Sequence, residues 1–271
     1  MTHSEPSPSF GPPPSLAELE AAHDPNIMTS LARGLVVIQA FSREQPALTI
    51  SEISQKTGIP RAAVRRCLYT LHRLGFADTD GRAYTLLPRI LSLGYAYLNA
   101  LPFAQAAQSV LRRITDTIHE SSSIAILDGD DIVYIARAQV SRIMTIDLSV
   151  GSRLPAAFTS MGRVLMAWRA EELEARLARI VFKPYTANTL RDADGLRREI
   201  AAVRQAGYSL LDQELELGLR SIAVPIFAAP GRVVASLNVG AHASRITPQE
   251  MVGRILPILQ EAAGQLSFIA G

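Results

Sequence analysis

Residues Thr49–Leu86 read T-I-S-E-I-S-Q-K-T-G-I-P-R-A-A-V-R-R-C-L-Y-T-L-H-R-L-G-F-A-D-T-D-G-R-A-Y-T-L. Thr49 followed three residues later by Glu52 is a capping box, so a helix starts there, with Ile50 and Ile53 on its apolar face and Ile59 continuing that face after the turn. Gly58 can adopt the left-handed conformation that ends a helix, and Pro60 suits the first turn of the next one. Two short helices joined by so tight a turn predict a helix-turn-helix. Phe76–Thr79 and Arg82–Leu86 flank Asp80-Gly81, a dipeptide that favours a tight hairpin. Helix, turn, helix, hairpin is the order of a winged helix-turn-helix.

The second helix is the expected DNA reader. Val64, Cys67, Leu68, Leu71 and Leu74 recur at helical spacing and form its buried stripe. Arg61, Arg65 and Tyr69 lie at i, i+4, i+8 on the opposite side, beside Ala62 and Arg66. Arginine matches the major-groove edge of guanine and also clamps phosphates, and the small Ala62 would let the backbone approach DNA. Thr49 at the first helix cap and Arg82 in the wing complete the candidate DNA-binding set. The bland alternative is that these arginines only solvate an exposed face. Charge argues against it: residues 28–90 carry nine Lys/Arg and four Asp/Glu, a net of 9 − 4 = +5, whereas the whole chain is +2, which leaves +2 − 5 = −3 for the remainder. A basic module on a near-neutral body is the electrostatic footprint of a DNA-binding domain with a separate task attached.

The 271 residues suffice for one or two domains. Residues 1–27, rich in Pro and Ser from Ser4 to Ser15, are expected to form a disordered arm. They lack the pattern of a secretory signal, and no apolar run is long enough to span a bilayer, so a cytoplasmic protein is expected. The single Cys67 excludes a disulfide within one chain. The winged helix-turn-helix occupies 28–88 and a linker helix 89–101. Leu91–Leu98 is apolar around too much of its circumference to face water; packing on its own domain is one reading, and a partner subunit, which a palindromic DNA site would require, is the other.

Residues 102–271 change character. A helix is expected over Phe103–His119, then strands at Ser123–Leu127 and Ile132–Ala138 around the turn Asp128–Asp131, and a third at Ile143–Leu148. A helix follows near Thr159 or Ser160, then Glu171–Ile180 and Ala193–Ala206. Strands at Tyr208–Asp212, Arg220–Ile226 and Val233–Val239 precede a closing helix from Thr247-Pro248-Gln249-Glu250, another capping box, to about Phe268. The fold class is α+β: the winged unit, then an α/β sensor domain with a mostly antiparallel sheet.

In several blocks the chain resembles the IclR family of bacterial transcription factors. These are S-L-A-R-G-L (Ser30–Leu35), the helix-turn-helix, G-S-R-L-P (Gly151–Pro155), T-S-M-G-R-V-L (Thr159–Leu165), D-Q-E-L-E-L-G-L-R-S-I-A-V-P (Asp212–Pro225) and V-V-A-S-L-N-V (Val233–Val239). The resemblance spans about residues 28–270. The T-S-M-G-R and D-Q-E-L-E blocks are similar to the branch that controls protocatechuate and 4-hydroxybenzoate breakdown through the β-ketoadipate pathway. The resemblance implies a GAF-like effector domain, a homodimer or dimer of dimers on a palindromic operator, and DNA binding altered by a small acid, with no cofactor.

A carboxylate effector needs hydroxyls, a helix N-terminus or an arginine. Phe158, Thr159, Ser160, Met161 and Gly162 offer hydroxyls and free N–H groups at a helix start, with Phe158 and Met161 able to grip a ring. Ser221 and Asn238 are polar positions on apolar late strands. Arg137 and Arg220 are candidate carboxylate partners, and Asp212 and Glu214 could order a loop or bind ring hydroxyls. Each has a structural alternative: Thr159 or Ser160 could only cap its helix, the arginines could only pair with neighbouring acids, and Glu214 and Glu216 could be solvated or salt-bridged. An enzyme is not expected, since the chain lacks G-x-S-x-G, a phosphate loop and H-E-x-x-H, and its five histidines show no ligand spacing. The competing readings are an IclR-type regulator of a different carboxylic-acid pathway, an architectural DNA-binding protein that senses no ligand, and an enzyme whose winged helix only docks proteins.

Overall fold

Ser15 and Glu18 close a capping box that starts helix α1 (Leu16–Ala21) in the computed structural model, which describes residues 15–42, 44–99, 104–140 and 148–270. This helix corrects the expectation of a disordered arm through residue 27. Ser15-Leu-Ala-Glu18 carries the same local signal as Thr49–Glu52, and Leu16 supplies an apolar contact to the first core. The Pro/Ser-rich part of that arm, before Ser15, lies outside the described residues. The chain divides into two compact units, Pro13–Ala100 and one containing Leu101–Gly271.

In the first unit, α2 (Thr29–Gln39), α3 (Ile50–Thr57) and α4 (Arg61–Arg73) enclose Val37, Ile53, Ile59, Val64 and Leu68. Both halves of the capping box form at Thr49–Glu52, and Gly58 ends α3 at φ +74°. Pro60 stands just before α4 rather than inside it. Strands β1 (Ala47–Leu48), β2 (Ala77–Thr79) and β3 (Tyr84–Leu86) pair antiparallel in the order β1-β3-β2 and make the wing. The hairpin loop is longer than Asp80-Gly81 suggests. The Asp80 carboxylate accepts from the N–H groups of Arg82 (2.8 Å) and Ala83 (2.7 Å), drawing both into the turn. The stripe on α4 is shorter than its periodicity implies: Val64, Leu68 and Leu71 are buried, Cys67 is half-buried, and Leu74 is exposed where the helix runs past its core. A 3₁₀ turn (Pro88–Ile90) leads into α5 (Leu91–Asn99).

Among the described residues the second unit holds one six-stranded sheet, entirely antiparallel, in the order β6-β5-β4-β9-β8-β7. Its strands are β4 (Ser121–Asp128), β5 (Asp131–Ala138), β6 (Arg153–Pro155), β7 (Ser209–Asp212), β8 (Leu219–Ala229) and β9 (Arg232–His242). Between β6 and β7 come α7 (Ser160–Ala167), α8 (Ala170–Leu177) and α9 (Ala193–Ala206), and α7 packs with α9 over one face of the sheet. Helix α6 (Ala104–Ile118) and the closing helix pack on the sheet as well. The closing helix starts from the capping box at Thr247 as α10 (Pro248–Glu250), passes through a π-turn (Met251–Ile255) and continues as α11 (Leu256–Ala270). The strand expected at Ile143–Leu148 lies outside the described residues except for Leu148, which is irregular.

Helix α7 touches its neighbours backbone to backbone. A Cβ on Gly162 would fall 2.1 Å from the Ala156 carbonyl oxygen, a separation no pair of heavy atoms tolerates. Only glycine lets the helix lie against the 3₁₀ turn Ala156–Phe158 that precedes it. That close approach sets where Phe158 and the start of α7 stand.

Candidate functional site

Two sites emerge, one per unit. In the first, α4 presents Arg61, Ala62, Arg65, Arg66 and Tyr69 exposed, and Arg82 is exposed in the wing. None of these arginines forms a salt bridge among the described residues, so their guanidinium groups are open to an external anion. Thr49 is only half-exposed, and its hydroxyl is engaged with Glu52 (2.8 Å). Of the proposed DNA-contacting set, it is the member already committed to holding its own helix. The hydrogen bonds from Thr49 hold the Glu52 carboxyl below the usual glutamate range.

In the second unit a cavity of about 60 Å³ opens between the sheet and the start of α7. The sheet wall is a polar patch built by register. Ser123 of β4 pairs with Arg137 of β5 on one side and Asn238 of β9 on the other, and two residues along, on the same face, Gly240 pairs with both Ser121 and Ser221. The opposite wall is Phe158, Thr159, Ser160 and Met161, and the rim is the segment around Glu214, Leu215 and Glu216. The Thr159 hydroxyl accepts from Gly162 N–H at 3.0 Å, so it caps α7 and borders the cavity at once. Phe158 stacks edge-on against Phe182 (6.0 Å) and Tyr185 (5.2 Å), which back the apolar wall.

The electrostatics are uneven. Arg137 is the one base lining the cavity among the described residues; its Nη1 donates to Ser123 Oγ at 3.2 Å. Glu214 reaches the rim but is matched by Arg163 of α7, whose Nη1 and Nη2 donate to its two oxygens at 2.9 and 2.5 Å. Arg163 is 1 % exposed, and its Nε donates to the Ala157 carbonyl at 3.0 Å. One guanidinium thus ties the rim to the turn carrying Phe158. The rim is also pinned from outside: the Thr189 hydroxyl donates to the Glu214 carbonyl at 2.6 Å and the Thr186 hydroxyl to the Gln213 carbonyl at 2.7 Å. The Asn238 Oδ1 is buried with no hydrogen-bond partner among the described residues.

Four sequence-proposed residues stand elsewhere than expected or act differently. Arg220 does not line the cavity. Its Nε and Nη2 donate to Asp212 at 3.0 and 2.8 Å, and its Nη1 donates to the carbonyls of Ala243 and Ile246, so it ties β8 to β7 and to the segment after β9. Asp212 is its partner and likewise outside the lining, its carboxyl held below the usual aspartate range by those Arg220 hydrogen bonds. Gly162 is a packing residue behind the wall. Glu214 does face the cavity, but as half of an ion pair. Phe158, Thr159, Ser160, Met161, Ser221, Asn238 and Arg137 are brought together. Sequence reading missed Ser121, Ser123, Tyr134 and Arg163. The run Ser121-Ser-Ser123 at a strand start was a usable signal, since three consecutive serines are poor strand formers without a polar task. Arg163 had none, because its partner is 51 residues away.

The model of the IclR helix-turn-helix domain matches residues 30–81, and that of the bacterial transcriptional regulator IclR C-terminal domain matches residues 95–268. The chain is 54 % identical over 245 residues to the Pca regulon regulatory protein of Pseudomonas putida, covering 90 % of this chain and 84 % of that protein. It is 34 % identical to the p-hydroxybenzoate hydroxylase transcriptional activator of Acinetobacter baylyi, covering 88 % and 90 % respectively. Among solved structures, the inducer-binding domain of the Acinetobacter transcription factor PobR, a double mutant in complex with 3-hydroxybenzoic acid, superimposes with a TM-score of 0.56 at 32 % identity, covering 60 % of this chain and 96 % of that domain.

Proposed function

The chain belongs to the IclR family of bacterial transcriptional regulators, DNA-binding proteins rather than enzymes, and we propose that it couples operator binding to a small carboxylate of aromatic catabolism. The effector class is protocatechuate, 4-hydroxybenzoate or β-ketoadipate. The observation that carries this reading is the cavity, where a lining arginine, Arg137, and a ring of hydroxyls face an apolar wall made by Phe158 and Met161. A buried carboxylate without a cation or several donors would cost several kcal/mol, and this cavity offers both. The relatives concerned with p-hydroxybenzoate and with the Pca regulon support the chemistry.

Binding has work to do on the protein. A cavity that admits a benzene ring measures roughly 150 Å³, whereas this one is about 60 Å³. An aromatic guest therefore has to widen it, and the resisting elements are the rim and the turn before α7. A ligand acts on a distant site only through such a difference in affinity between two conformations.

Arg61, Arg65, Arg66, Tyr69 and Arg82 form the DNA-reading surface in this proposal, and a homodimer places two of them on a palindromic operator. Support for the dimer is the apolar surface of the first unit. Leu91 (64 % exposed) and Leu93 (51 %) on α5, with Leu31, Leu35 and Leu74, leave more leucine in water than a stable monomer favours. Titration calorimetry of the full chain with the three acids, followed by gel shifts on operator DNA with and without the acid that binds, tests the reading. Heat with at least one acid and an altered shift are expected; absence of heat with all three rejects the effector class. Sedimentation as a monomer at micromolar concentration rejects the dimer.

A further inference from the structure

In a regular strand, residues three apart point to opposite faces. Tyr134 and Arg137 are three apart on β5, yet both line the cavity. The reason is a bulge: Ala125 pairs with Tyr134, but the next residue of β4, Ile124, pairs with Ala136, so Ile135 is an extra residue on β5. Beyond it, Arg137 pairs with Ser123, which shares a face of β4 with Ala125. Bulges recur beside functional sites because they re-aim a side chain. This one carries Tyr134 onto the face of Arg137, whose guanidinium carbon lies 6.0 Å from the tyrosine ring centroid.

Tyr134 is 4 % exposed, and its hydroxyl makes no hydrogen bond to the described residues. A tyrosine this buried normally finds a partner for its hydroxyl, which here reaches the open space of the cavity, and a phenylalanine would fill the same space without needing one. The Asn238 Oδ1 in the same cavity also lacks a partner among the described residues. These are the marks of a wall built for a polar guest.

We propose that Tyr134 determines effector specificity by donating its hydroxyl hydrogen to the carboxylate that Arg137 neutralises. The proposal rests on the effector reading above. Burial pushes the phenol up to about 12, against the opposing pull of Arg137, so it stays a neutral donor throughout the physiological pH range. A neutral donor next to a guanidinium suits an anionic acceptor, and charge-assisted hydrogen bonds are the stronger kind.

The test uses the full chain as wild type and Tyr134→Phe, which keeps the ring and removes only the hydroxyl. Calorimetry with protocatechuate, 4-hydroxybenzoate and β-ketoadipate measures affinity, and ¹³Cζ-tyrosine NMR watches the resonance that is absent from the variant. For an acid that wild type binds, the variant's Kd should rise about 10- to 100-fold, as expected for a hydrogen bond to a charged group. The Tyr134 resonance should shift on saturation, and operator affinity without effector should not change. If wild type binds an acid while the variant matches it within about twofold, or the resonance stays still, Tyr134 is not the contact and the effector reading stands. If no acid gives heat with wild type, the effector reading fails and this proposal with it.

Discussion

Replacing Glu214 with alanine tests the tie between the rim and the start of α7. In the native protein, both oxygens of Glu214 accept from Arg163, at 2.9 and 2.5 Å, and the guanidinium is 1 % exposed. After truncation, Arg163 keeps only its Nε bond to the Ala157 carbonyl, and a buried cation has lost its counter-charge. Removing one partner of a buried pair costs about 3–5 kcal/mol. Because Glu214 borders a cavity that water can occupy, the lower end applies, about 3 kcal/mol. For a domain of this size each kcal/mol is worth roughly 2–4 °C, so the melting temperature should fall by about 6–12 °C. Trp168, the single tryptophan of the chain, follows α7 and packs on Phe227 at 5.6 Å, so its fluorescence during urea unfolding reports on the second unit alone. The double variant Arg163→Met/Glu214→Leu removes both charges together and should recover most of the loss, to within about 1 kcal/mol of wild type. A loss below about 1 kcal/mol in Glu214→Ala, or a double variant as unstable as the single one, would refute the claim that the pair is desolvated and coupled.

Three further outcomes follow from particular residues. Arg65→Ala should weaken operator binding by about 1–3 kcal/mol if the side chain reads a base, with the effect confined to the cognate site; equal loss on random DNA would assign it to phosphate instead. Gly162→Ala should destabilise the second unit by about 1–3 kcal/mol or more, since the new methyl meets backbone that cannot rotate away; an unchanged urea midpoint would show that α7 can lift off the turn at no cost. The folded-state pKa of Asp212 is depressed by Arg220, so the pair's stabilisation is fully present above the unfolded aspartate value near 3.9 and fades as pH falls through the lower folded value. Asp212→Asn should therefore lower stability at neutral pH and flatten the acid limb of the stability curve, which urea titrations from pH 7 down to about 2 would check.

Where a structural feature depends on neighbours within a few residues, the chain spelled it out. Thr49-Glu52, Gly58 and the Asp80-Gly81 turn specify the helix-turn-helix and wing because capping and left-handed φ are decided by adjacent backbone groups. The same grammar was present at Ser15–Glu18, although the surrounding prolines and serines masked it. The helices over 193–206 and from Thr247 onward were legible for the same reason. Pairings across the sheet were not. Arg220 and Arg137 look alike along the chain, each an arginine in an apolar strand. Only the register of β7 with β8 sets Asp212 opposite Arg220, and only the extra residue at Ile135 turns Tyr134 towards Arg137. Arg163 and Glu214 are 51 residues apart, and the fold alone decides that they meet. Leu74 continued the apolar period of α4 and still ended in solvent, since periodicity fixes a face of the helix but not how far its core extends. Local sequence therefore determined the DNA-reading element, whose stabilising interactions are short-range. The cavity of the second unit was decided by long-range strand register and by which charges the fold brings within reach of one another.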